Sequence, residues 1–334
     1  MKNIILFLII ISFSSCSNKK PDVLHIKNQK YCVLVDSIMT TLPGKILYQE
    51  GILYWYSAFT TDFFVHVVDI NKNEICSFGK IGDGPEEFVS PVFSLSPKSG
   101  LFINDAQKNL EILYHVNKSD SIVTREIGKY DVIKDATAII RITNDIIIYL
   151  CPFNDAPFCI KTKNKKINCG KTPLNEGISN GFEMYQGDIA YNSNNNFFVY
   201  NTLMFPYTAV YILEDDKLVL KNELRMDEQY SICEGKLLLE DNFPHGAKEM
   251  ALTKNYIVFI QRDEEIEGKM PRPSKAYDTS VLPHSLYVYD YDLNLVKIIN
   301  MPFPSIRLCG DINSDVIYGI GVNPEYMIYS ADLK

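Results

Sequence analysis

Short runs of apolar, β-branched and aromatic residues recur along the whole chain, and clusters of Gly, Asn, Asp and Pro separate them. Runs of about four to eight such residues between turn-forming residues are typical of β-strands. Three of the runs end in Asp followed by Ile or Leu, namely His66–Ile70, Tyr289–Leu293 and Tyr329–Leu333. No long stretch shows the period of about 3.6 residues that marks an amphipathic helix. The pattern therefore predicts an all-β chain with little helix.

The runs fall into six groups, which repeat about every 40–50 residues, as the blades of a β-propeller do. The sixth group lacks an outer strand because the chain stops at Lys334, while the run Tyr31–Val35 near the start has no partner. Pairing these two would close the ring and remove an exposed strand edge. We predict a six-bladed β-propeller over residues 30–334, closed by Tyr31–Val35 on the last blade.

Residues 1–15 predict a signal peptide rather than part of the fold. Lys2 precedes the apolar stretch Ile4–Ile11, which is too short to span a bilayer. The segment Phe13–Cys16 resembles the lipobox of bacterial lipoproteins, and this resemblance implies cleavage before Cys16 and acyl chains on that residue. Acyl chains anchor a protein to a membrane, so the membrane is a predicted partner. An ordinary secreted protein with a chance cysteine is the alternative.

Residues 16–29 are mostly polar and are predicted to form a flexible tether between the lipidated cysteine and the propeller. Surface-exported lipoproteins of the Bacteroidetes type often carry an acidic run directly after the cysteine, whereas this chain has Lys19 and Lys20 there. The sequence therefore favours a protein that is lipid-anchored in the outer membrane and faces the periplasm rather than the cell surface.

Charge and cysteine content narrow the classes of function. The formal net charge is −8 and no basic face is visible, so nucleic acid is not a predicted partner. Seven cysteines follow Cys16, an odd number, so at least one of them cannot pair within the chain. No two cysteines have the Cys-x-x-Cys spacing of a zinc knuckle. Cys159 and Cys169 flank a lysine-rich turn, and a disulfide between them across a hairpin is left open.

A glycine-rich segment, Gly79–Phe88, follows the first group of strands. Together with the lipobox at Cys16, this segment resembles the TolB-like six-bladed β-propeller lipoproteins of Bacteroidetes, which carry Gly-x-x-Gly-x-Gly-Pro-x-Glu-Phe at the corresponding place. The resemblance implies the fold and an envelope location, but no reaction and no catalytic residue. The residues that we assign to this motif are Gly79, Gly82, Gly84, Pro85, Glu86 and Phe88.

The same segment permits three interpretations from its residues alone. Its glycines would expose backbone N–H groups to an anion, or Asp83, Glu86 and Glu87 would bind a cation. The third interpretation is a tight crossover between blades, in which a carboxylate binds backbone N–H groups. Two other strings, Asp69–Asn73 and Asp311–Asp315, look like calcium loops but lack the glycine of an EF-hand, and we interpret them as turns.

The central tunnel of a propeller is bordered by the innermost strand of each blade. The short runs that suit these strands are Val92–Leu95, Ala136–Ile140, Asp188–Tyr191, Glu249–Leu252 and Ile306–Cys309. The polar residues on or near these runs and in irregular loops that we predict to bind a ligand or partner are Arg141, Tyr185, Glu249, Arg307, Asp311 and His245. Two arginines at a tunnel mouth would suit a carboxylate or phosphate. The alternative is that these side chains fill or solvate the tunnel.

Neither a nucleophile elbow nor the spacing of paired metal-binding histidines occurs, so we predict no catalytic residue, no metal ligand and no cofactor, with a divalent cation left open. The sequence favours a non-catalytic binding or assembly scaffold that holds an envelope protein on one propeller face. Two irregular stretches, Asp227–Lys248 and Glu264–Pro283, are predicted to take part. The alternatives are a metal-dependent hydrolase or lactonase-like enzyme, and a binder of a small ligand or glycan.

Overall fold

The computed structural model describes residues 22–60, 62–72, 74–117, 123–127, 130–152, 156–174, 177–225, 230–239, 246–247, 249–269 and 278–334. Residues 1–15, for which a signal peptide is predicted, as well as Cys16, Lys19, Lys20 and His245 lie outside the described residues, so the predictions made on them stay predictions. None of the helices in the described part of the chain has the length and hydropathy that crossing a bilayer requires.

Four-stranded units arranged in a ring make up the fold. In chain order, the described strands begin with β1 (Leu24–Lys27) and β2 (Cys32–Val35). Blade 1 contains β3 (Leu42–Gln49), β4 (Ile52–Ala58), β5 (Phe63–Asp69) and β6 (Glu74–Lys80). Blade 2 contains β7 (Val92–Leu95), β8 (Leu101–Asp105), β9 (Leu110–Val116) and β10 (Val123–Ile127). Blade 3 contains β11 (Ala138–Arg141), β12 (Ile147–Leu150), β13 (Phe158–Lys161) and β14 (Lys166–Cys169).

The second half of the ring follows the same plan. After α1 (Gly181–Met184), blade 4 contains β15 (Gly187–Asn192), β16 (Phe197–Thr202), β17 (Tyr207–Glu214) and β18 (Lys217–Arg225). Blade 5 contains β21 (Met250–Leu252), β22 (Tyr256–Ile260), β23 (Ser285–Asp290) and β24 (Leu295–Asn300). Blade 6 contains β25 (Ser305–Gly310), β26 (Val316–Val322) and β27 (Tyr326–Asp332). The connections carry the hairpin β19 (Ser231–Cys233) and β20 (Lys236–Leu238), α2 (Glu264–Glu267) and a 3₁₀ turn, Thr279–Val281. The six blades confirm the predicted all-β, six-bladed propeller.

The ring is closed by the N-terminal part of the chain. β2 is antiparallel to β27 and completes blade 6 as its outer strand, with Cys32 opposite Ser330 and Val33 opposite Tyr329. The Tyr31 ring packs edge-on against Phe303, with their centroids 4.8 Å apart. This is the closure that the sequence predicts, because an unpaired strand at the start meets a blade that lacks one at the end.

A fifth strand on blade 5 departs from the prediction for the N-terminal segment. β1 pairs in parallel with the outer edge of β24, from Leu24 opposite Lys297 to Lys27 opposite Asn300. The prediction of a flexible tether through residue 29 is therefore wrong for these four residues. The sequence gives a weak strand pattern here, because only Ile26 packs against the apolar cluster between blades 5 and 6.

The core lies between the blades rather than inside any one of them. Both faces of a blade are covered by its neighbours, so a central strand is apolar on both sides. In β16, Phe198 and Tyr200 pack toward blade 3, whereas Val199 between them packs toward blade 5. The rings of Tyr48 and Tyr318, stacked at 4.4 Å, join blade 1 to blade 6 in the same way. Burial of apolar surface at about 25 cal/mol per Å² in each interface stabilises the whole ring.

The two faces of the ring differ in the length of their connections. Because successive strands of a blade run in opposite directions, connections alternate between the faces. On one face, the turn face, strands are joined by tight turns such as Glu50–Gly51 and Asp215–Asp216. On the other, the long-loop face, lie the described parts of connections 170–186, 226–249 and 261–284, among them α1, the β19–β20 hairpin and α2. The innermost strand of each blade begins at the long-loop face.

Candidate functional site at the tunnel mouth

Four charged side chains from four blades come together near the long-loop end of the tunnel. They are Lys45 on β3, Asp188 on β15, Glu249 directly before β21 and Arg307 on β25. Each lies in the first half of its innermost strand or just before it, which places the group toward the long-loop face. We call these four residues the tunnel quartet.

The first pair of the quartet spans the tunnel. The Nζ atom of Lys45 donates a hydrogen bond to Oδ1 of Asp188 at 2.6 Å. Blades 1 and 4 lie opposite each other in a six-membered ring, so this ion pair crosses the tunnel. Protein surrounds Lys45 on all sides, yet 36% of its side-chain surface is accessible, because it borders a channel. Burial lowers the pKa of Lys45, but the attraction of Asp188 and Glu249 outweighs burial and raises it above its usual value.

The second pair joins three neighbouring blades. Nη1 of Arg307 donates to Oε1 of Glu249 at 2.8 Å, and Nε of Arg307 donates to the carbonyl oxygen of Pro43 at 2.8 Å. Burial raises the pKa of Glu249 to about 7, although the positive charge of Arg307 opposes that rise. The carboxylate of Asp188 raises it further and Lys45 lowers it. The carboxyl group of Glu249 therefore changes charge near neutral pH.

The quartet has a charge that depends on pH. With both carboxylates ionised, two cations balance two anions. When Glu249 takes up a proton, the site gains one net positive charge, which favours an anion at the tunnel mouth. Among the described residues, no three His, Cys, Asp or Glu side chains come close enough together to hold a metal ion.

Of the residues predicted to bind a ligand, only Glu249 and Arg307 meet at the tunnel. Lys45 and Asp188 were not among the predicted residues. Lys45 lies on the one innermost strand that the sequence pattern misses, because Pro43-Gly44 looks like a turn. The strand accommodates this pair through a shift in register between Pro43 and Ile46. The apolar run Ile46–Tyr48, close before the turn at Glu50-Gly51, is the sequence feature that could have indicated a strand here.

Arg141 lies in the interface of blades 2 and 3, so its predicted place at the tunnel is wrong. Its guanidinium pairs with the carboxylate of Glu111 on β9, and the two side chains are only 2% and 0% exposed. The guanidinium also lies over the Phe102 ring, 3.9 Å from the centroid. Burial raises the pKa of Glu111 and lowers that of Arg141, against the attraction between them. The pair joins two blades and is closed to a ligand.

Tyr185 and Asp311 are also away from the quartet. Tyr185 ends α1 in the core between blades 3 and 4, where its carbonyl oxygen accepts a hydrogen bond from the Tyr200 hydroxyl at 2.6 Å. Asp311 lies in a tight turn on the turn face and accepts hydrogen bonds from Ser314 Oγ and from the N–H of Asn313. The predicted tunnel position is wrong for Tyr185, which is buried in this core, whereas Asp311 directly follows the innermost strand β25 at the end opposite the quartet. The string Asp311–Asp315, which looks like a calcium loop in the sequence, is therefore a turn, as the sequence analysis predicts.

The glycine-rich segment forms the crossover from blade 1 to blade 2. Oε2 of Glu87 accepts a hydrogen bond from the N–H of Gly84 at 2.8 Å. A Cβ atom at Gly82 would lie 2.2 Å from the same oxygen, so the chain's own carboxylate occupies the place that an anion would take. Phe88 is fully buried against Phe64. The geometry favours the crossover among the three interpretations.

The described cysteines are all free. On the hairpin of β13 and β14, Cys159 lies opposite Asn168 and Cys169 lies opposite Phe158. The two cysteines are therefore one register position apart and point to opposite sides of the blade. The disulfide between them that the sequence left open is not formed.

Comparison with protein families matches residues 22–303 to the model of a family described as TolB-like 6-blade propeller-like. Comparison with curated proteins gives no match. Among solved structures, the chain is similar to the β-propeller domain of Cps50 (Swd1) from Myceliophteria thermophila, with 8% identity, a TM-score of 0.46, and coverage of 90% of this chain and 99% of that one. It is also similar to XC5397, a gluconolactonase from Xanthomonas campestris, with 9% identity, a TM-score of 0.48, and coverage of 92% and 90%. Similarities this distant carry no argument about function.

Proposed function

The chain belongs to the TolB-like six-blade propeller family, and from that premise we propose that it is a non-catalytic binding scaffold of the cell envelope. In this proposal the mature protein is anchored in the outer membrane by a lipid on Cys16 and faces the periplasm. It holds a protein partner on its long-loop face, around the tunnel mouth. The ring supplies a rigid frame, and the connections of that face supply the contacts.

One observation carries this proposal, and it is the distribution of exposed apolar side chains in the connections. Met39 is 95% exposed and Phe59 is 76% exposed, and both lie at the same end of blade 1. The exposed large apolar residues in long-loop-face connections are Met39, Phe59, Ile81, Val89, Phe182, Ile232, Leu238 and Ile266. Among the described residues, none lies in a turn between two strands on the turn face. Exposed apolar groups gathered on one face indicate an interaction surface.

The charged tunnel mouth suits the centre of such a surface. Aromatic and methionine side chains are enriched at protein interfaces, and charged groups across an interface fix its register more than they add affinity. The quartet is held by hydrogen bonds within the ring, so its ionisable side chains have fixed positions rather than adaptable ones.

Site-specific photo-cross-linking in intact cells tests the proposal. A photoreactive amino acid is placed at Phe182 or Ile266 on the long-loop face, and at Asn164 or Asp215 on the turn face as matched exposed controls. We expect one discrete cross-linked product from the long-loop positions and none from the turn positions. Equal cross-linking from both faces, or from neither, would contradict the proposal.

The alternatives make different predictions. A metal-dependent hydrolase or lactonase-like enzyme would retain about one divalent ion per chain after purification without chelator, and elemental analysis measures this directly. A small-ligand binder would cross-link to no protein and would instead show a change in melting temperature with an added anion. Neither outcome is expected from a protein-binding scaffold.

A further inference from the structure

The tunnel mouth exposes its cations more than its anions. The side chains of Lys45 and Arg307 are 36% and 23% exposed, whereas those of Asp188 and Glu249 are 16% and 13% exposed. A group that enters the mouth from the long-loop face therefore has more access to the ammonium and guanidinium groups than to the two carboxylates.

The two cations also have hydrogen-bond donors to spare. An ammonium group carries three N–H bonds, and within the described part of the chain that of Lys45 donates only to Asp188. Arg307 donates through Nε and Nη1, while its Nη2 has no partner among the described residues. Unused donors on two neighbouring cations suit the two oxygens of a carboxylate.

The carboxylates offer a weaker site for a ligand of the opposite charge. Oδ1 of Asp188 accepts hydrogen bonds from Lys45 and from the N–H of Ile189, and Oδ2 of Asp188 and Oε2 of Glu249 have no partner in the described ranges. These two oxygens would suit a cation. However, burial raises the pKa of Glu249 to about 7, so its carboxyl group is protonated in roughly half of the molecules at neutral pH. The mouth then carries a net positive charge, which favours an anion.

Several groups face the carboxyl group of Glu249. Arg307 and Lys45 lower its pKa, whereas Asp188 raises it in addition to burial. The thiol of Cys309 on β25 also faces it, and burial raises the pKa of that thiol well above its usual value, so the thiol stays neutral. The proton on Glu249 therefore sets whether the mouth is neutral or positive near neutral pH.

The rim beside the mouth is apolar. Leu42 at the start of β3 lies opposite Ala58 at the end of β4, so the exposed side chains of Met39 and Phe59 lie beyond this pair at the long-loop end of blade 1. Lys45 lies farther along β3, about 10 Å from Leu42. A projecting loop or side chain can reach it, but a flat surface cannot. The apolar rim favours a protein over a free anion, because the residues that flank an acidic side chain would contact it.

We propose that an acidic side chain of the protein partner enters the tunnel mouth and binds Lys45 and Arg307, and that it binds more tightly when Glu249 is protonated. The residues beside it would contact Met39 and Phe59. This inference rests on the proposed function, because it names the chemical group by which the partner recognises the long-loop face.

Two substitutions that break the same ion pair provide the test. Lys45→Gln removes a cation from the mouth and Asp188→Asn removes an anion, yet both remove the bond between blades 1 and 4. The photo-cross-link from Phe182 is measured in cells that carry each variant. We expect the product to fall about ten-fold or more in Lys45→Gln, and to stay at the parental level or rise in Asp188→Asn. Lys165→Gln, which removes an ion pair with Asp216 on the turn face, is the control and should leave the product unchanged.

Disulfide-closed peptides displayed on phage provide a probe that does not depend on the cellular partner. Peptides selected on the mature chain with Cys16→Ser should share an Asp or Glu in the loop, and its replacement by the amide should weaken binding about ten-fold or more. Such a peptide should bind about five-fold more tightly at about pH 6 than at about pH 8. Glu249→Gln, which is neutral at both pH values, should bind it tightly at both.

Failure of this inference and failure of the proposed function give different results. A parent chain without a specific product from Phe182 contradicts the proposed function, and the inference falls with it. If the parent does cross-link but Lys45→Gln has no effect, or Lys45→Gln and Asp188→Asn lose the product equally, the proposed function stands and the inference is wrong. A product that rises in Lys45→Gln and falls in Asp188→Asn would mean that the mouth binds a cation. Selected peptides without an acidic residue would also overturn the inference, as would a melting temperature that rises with inorganic phosphate while no acidic peptide is selected.

Discussion

Replacing Glu249 by Gln should change how the stability of the ring depends on pH. The glutamine keeps an oxygen that accepts the hydrogen bond from Arg307 and has nearly the same shape, but it cannot ionise. In the folded chain, burial raises the pKa of Glu249 from 4.5 to about 7. The folded state therefore binds this proton more tightly than the unfolded state does.

The sign and size of the effect follow from this difference. The stabilisation from protonated Glu249 is fully present below the unfolded pKa near 4.5 and is lost as the pH rises through the folded pKa near 7. A shift of this size corresponds to about 3 kcal/mol in the free energy of unfolding. Arg307, Lys45 and Asp188 face this position in both variants, but their charges act on the ionised carboxylate and not on the amide, so the comparison measures their effect together with that of burial.

Urea unfolding of the mature chain at several values between about pH 5 and pH 8 measures the effect. The single tryptophan, Trp55, is buried between blades 6 and 1 and reports on the ring by fluorescence. The unfolding free energy of the parent should fall by about 2.5 kcal/mol relative to Glu249→Gln across this range. Glu214→Gln, at an exposed position, controls for the loss of a carboxylate. Parallel pH profiles for the parent and Glu249→Gln would refute the reasoning.

Three further predictions concern the ring and its anchor. Deletion of Tyr31–Val35 should destabilise the whole ring by about 3 kcal/mol or more, because blade 6 loses its outer strand; an unchanged melting temperature would contradict the closure. Arg141→Met should cost about 3–5 kcal/mol in urea unfolding, because it leaves the buried carboxylate of Glu111 without its cation. The double variant Arg141→Met, Glu111→Leu should recover most of the lost free energy of unfolding. If it recovers none, the unpaired carboxylate of Glu111 is not the cause of the loss. Cys16→Ala should abolish incorporation of labelled palmitate and release the protein from the membrane fraction; retention in that fraction would argue against the lipid anchor.

The sequence predicted those parts of the fold that local patterns determine. The closure by β2 followed from an unpaired run at one end and a missing strand at the other. The strand β3 was missed because Pro43-Gly44 has the composition of a turn. The ring of Tyr56 lies so close to Gly44 that a Cβ atom there would clash with it, and this tertiary contact is invisible in the local sequence.

Of the four residues in the tunnel quartet, only Glu249 and Arg307 were predicted from the sequence, because the site depends on how the ring closes. Arg141 and Arg307 are both on innermost strands, yet one faces a neighbouring blade and the other faces the tunnel. The direction of a side chain depends on its register in the blade, and no local pattern gives that register relative to the ring axis. Lys45 and Asp188 meet only because their blades are opposite each other, which requires the complete circle.

The strand β1 determines how the ring would be oriented relative to the membrane that anchors it. With the lipid on Cys16, eight peptide units lead to Leu24, and even fully extended they reach at most about 29 Å. This short linker joins the ring at the rim of blade 5, where Leu24 pairs with Lys297 near the turn face. The ring would therefore be attached to the membrane at its edge, and the long-loop face would be exposed to the periplasm at the side of the ring. Blade 2 is diametrically opposite the attachment point, so its outer strand β10 would point away from the lipid surface.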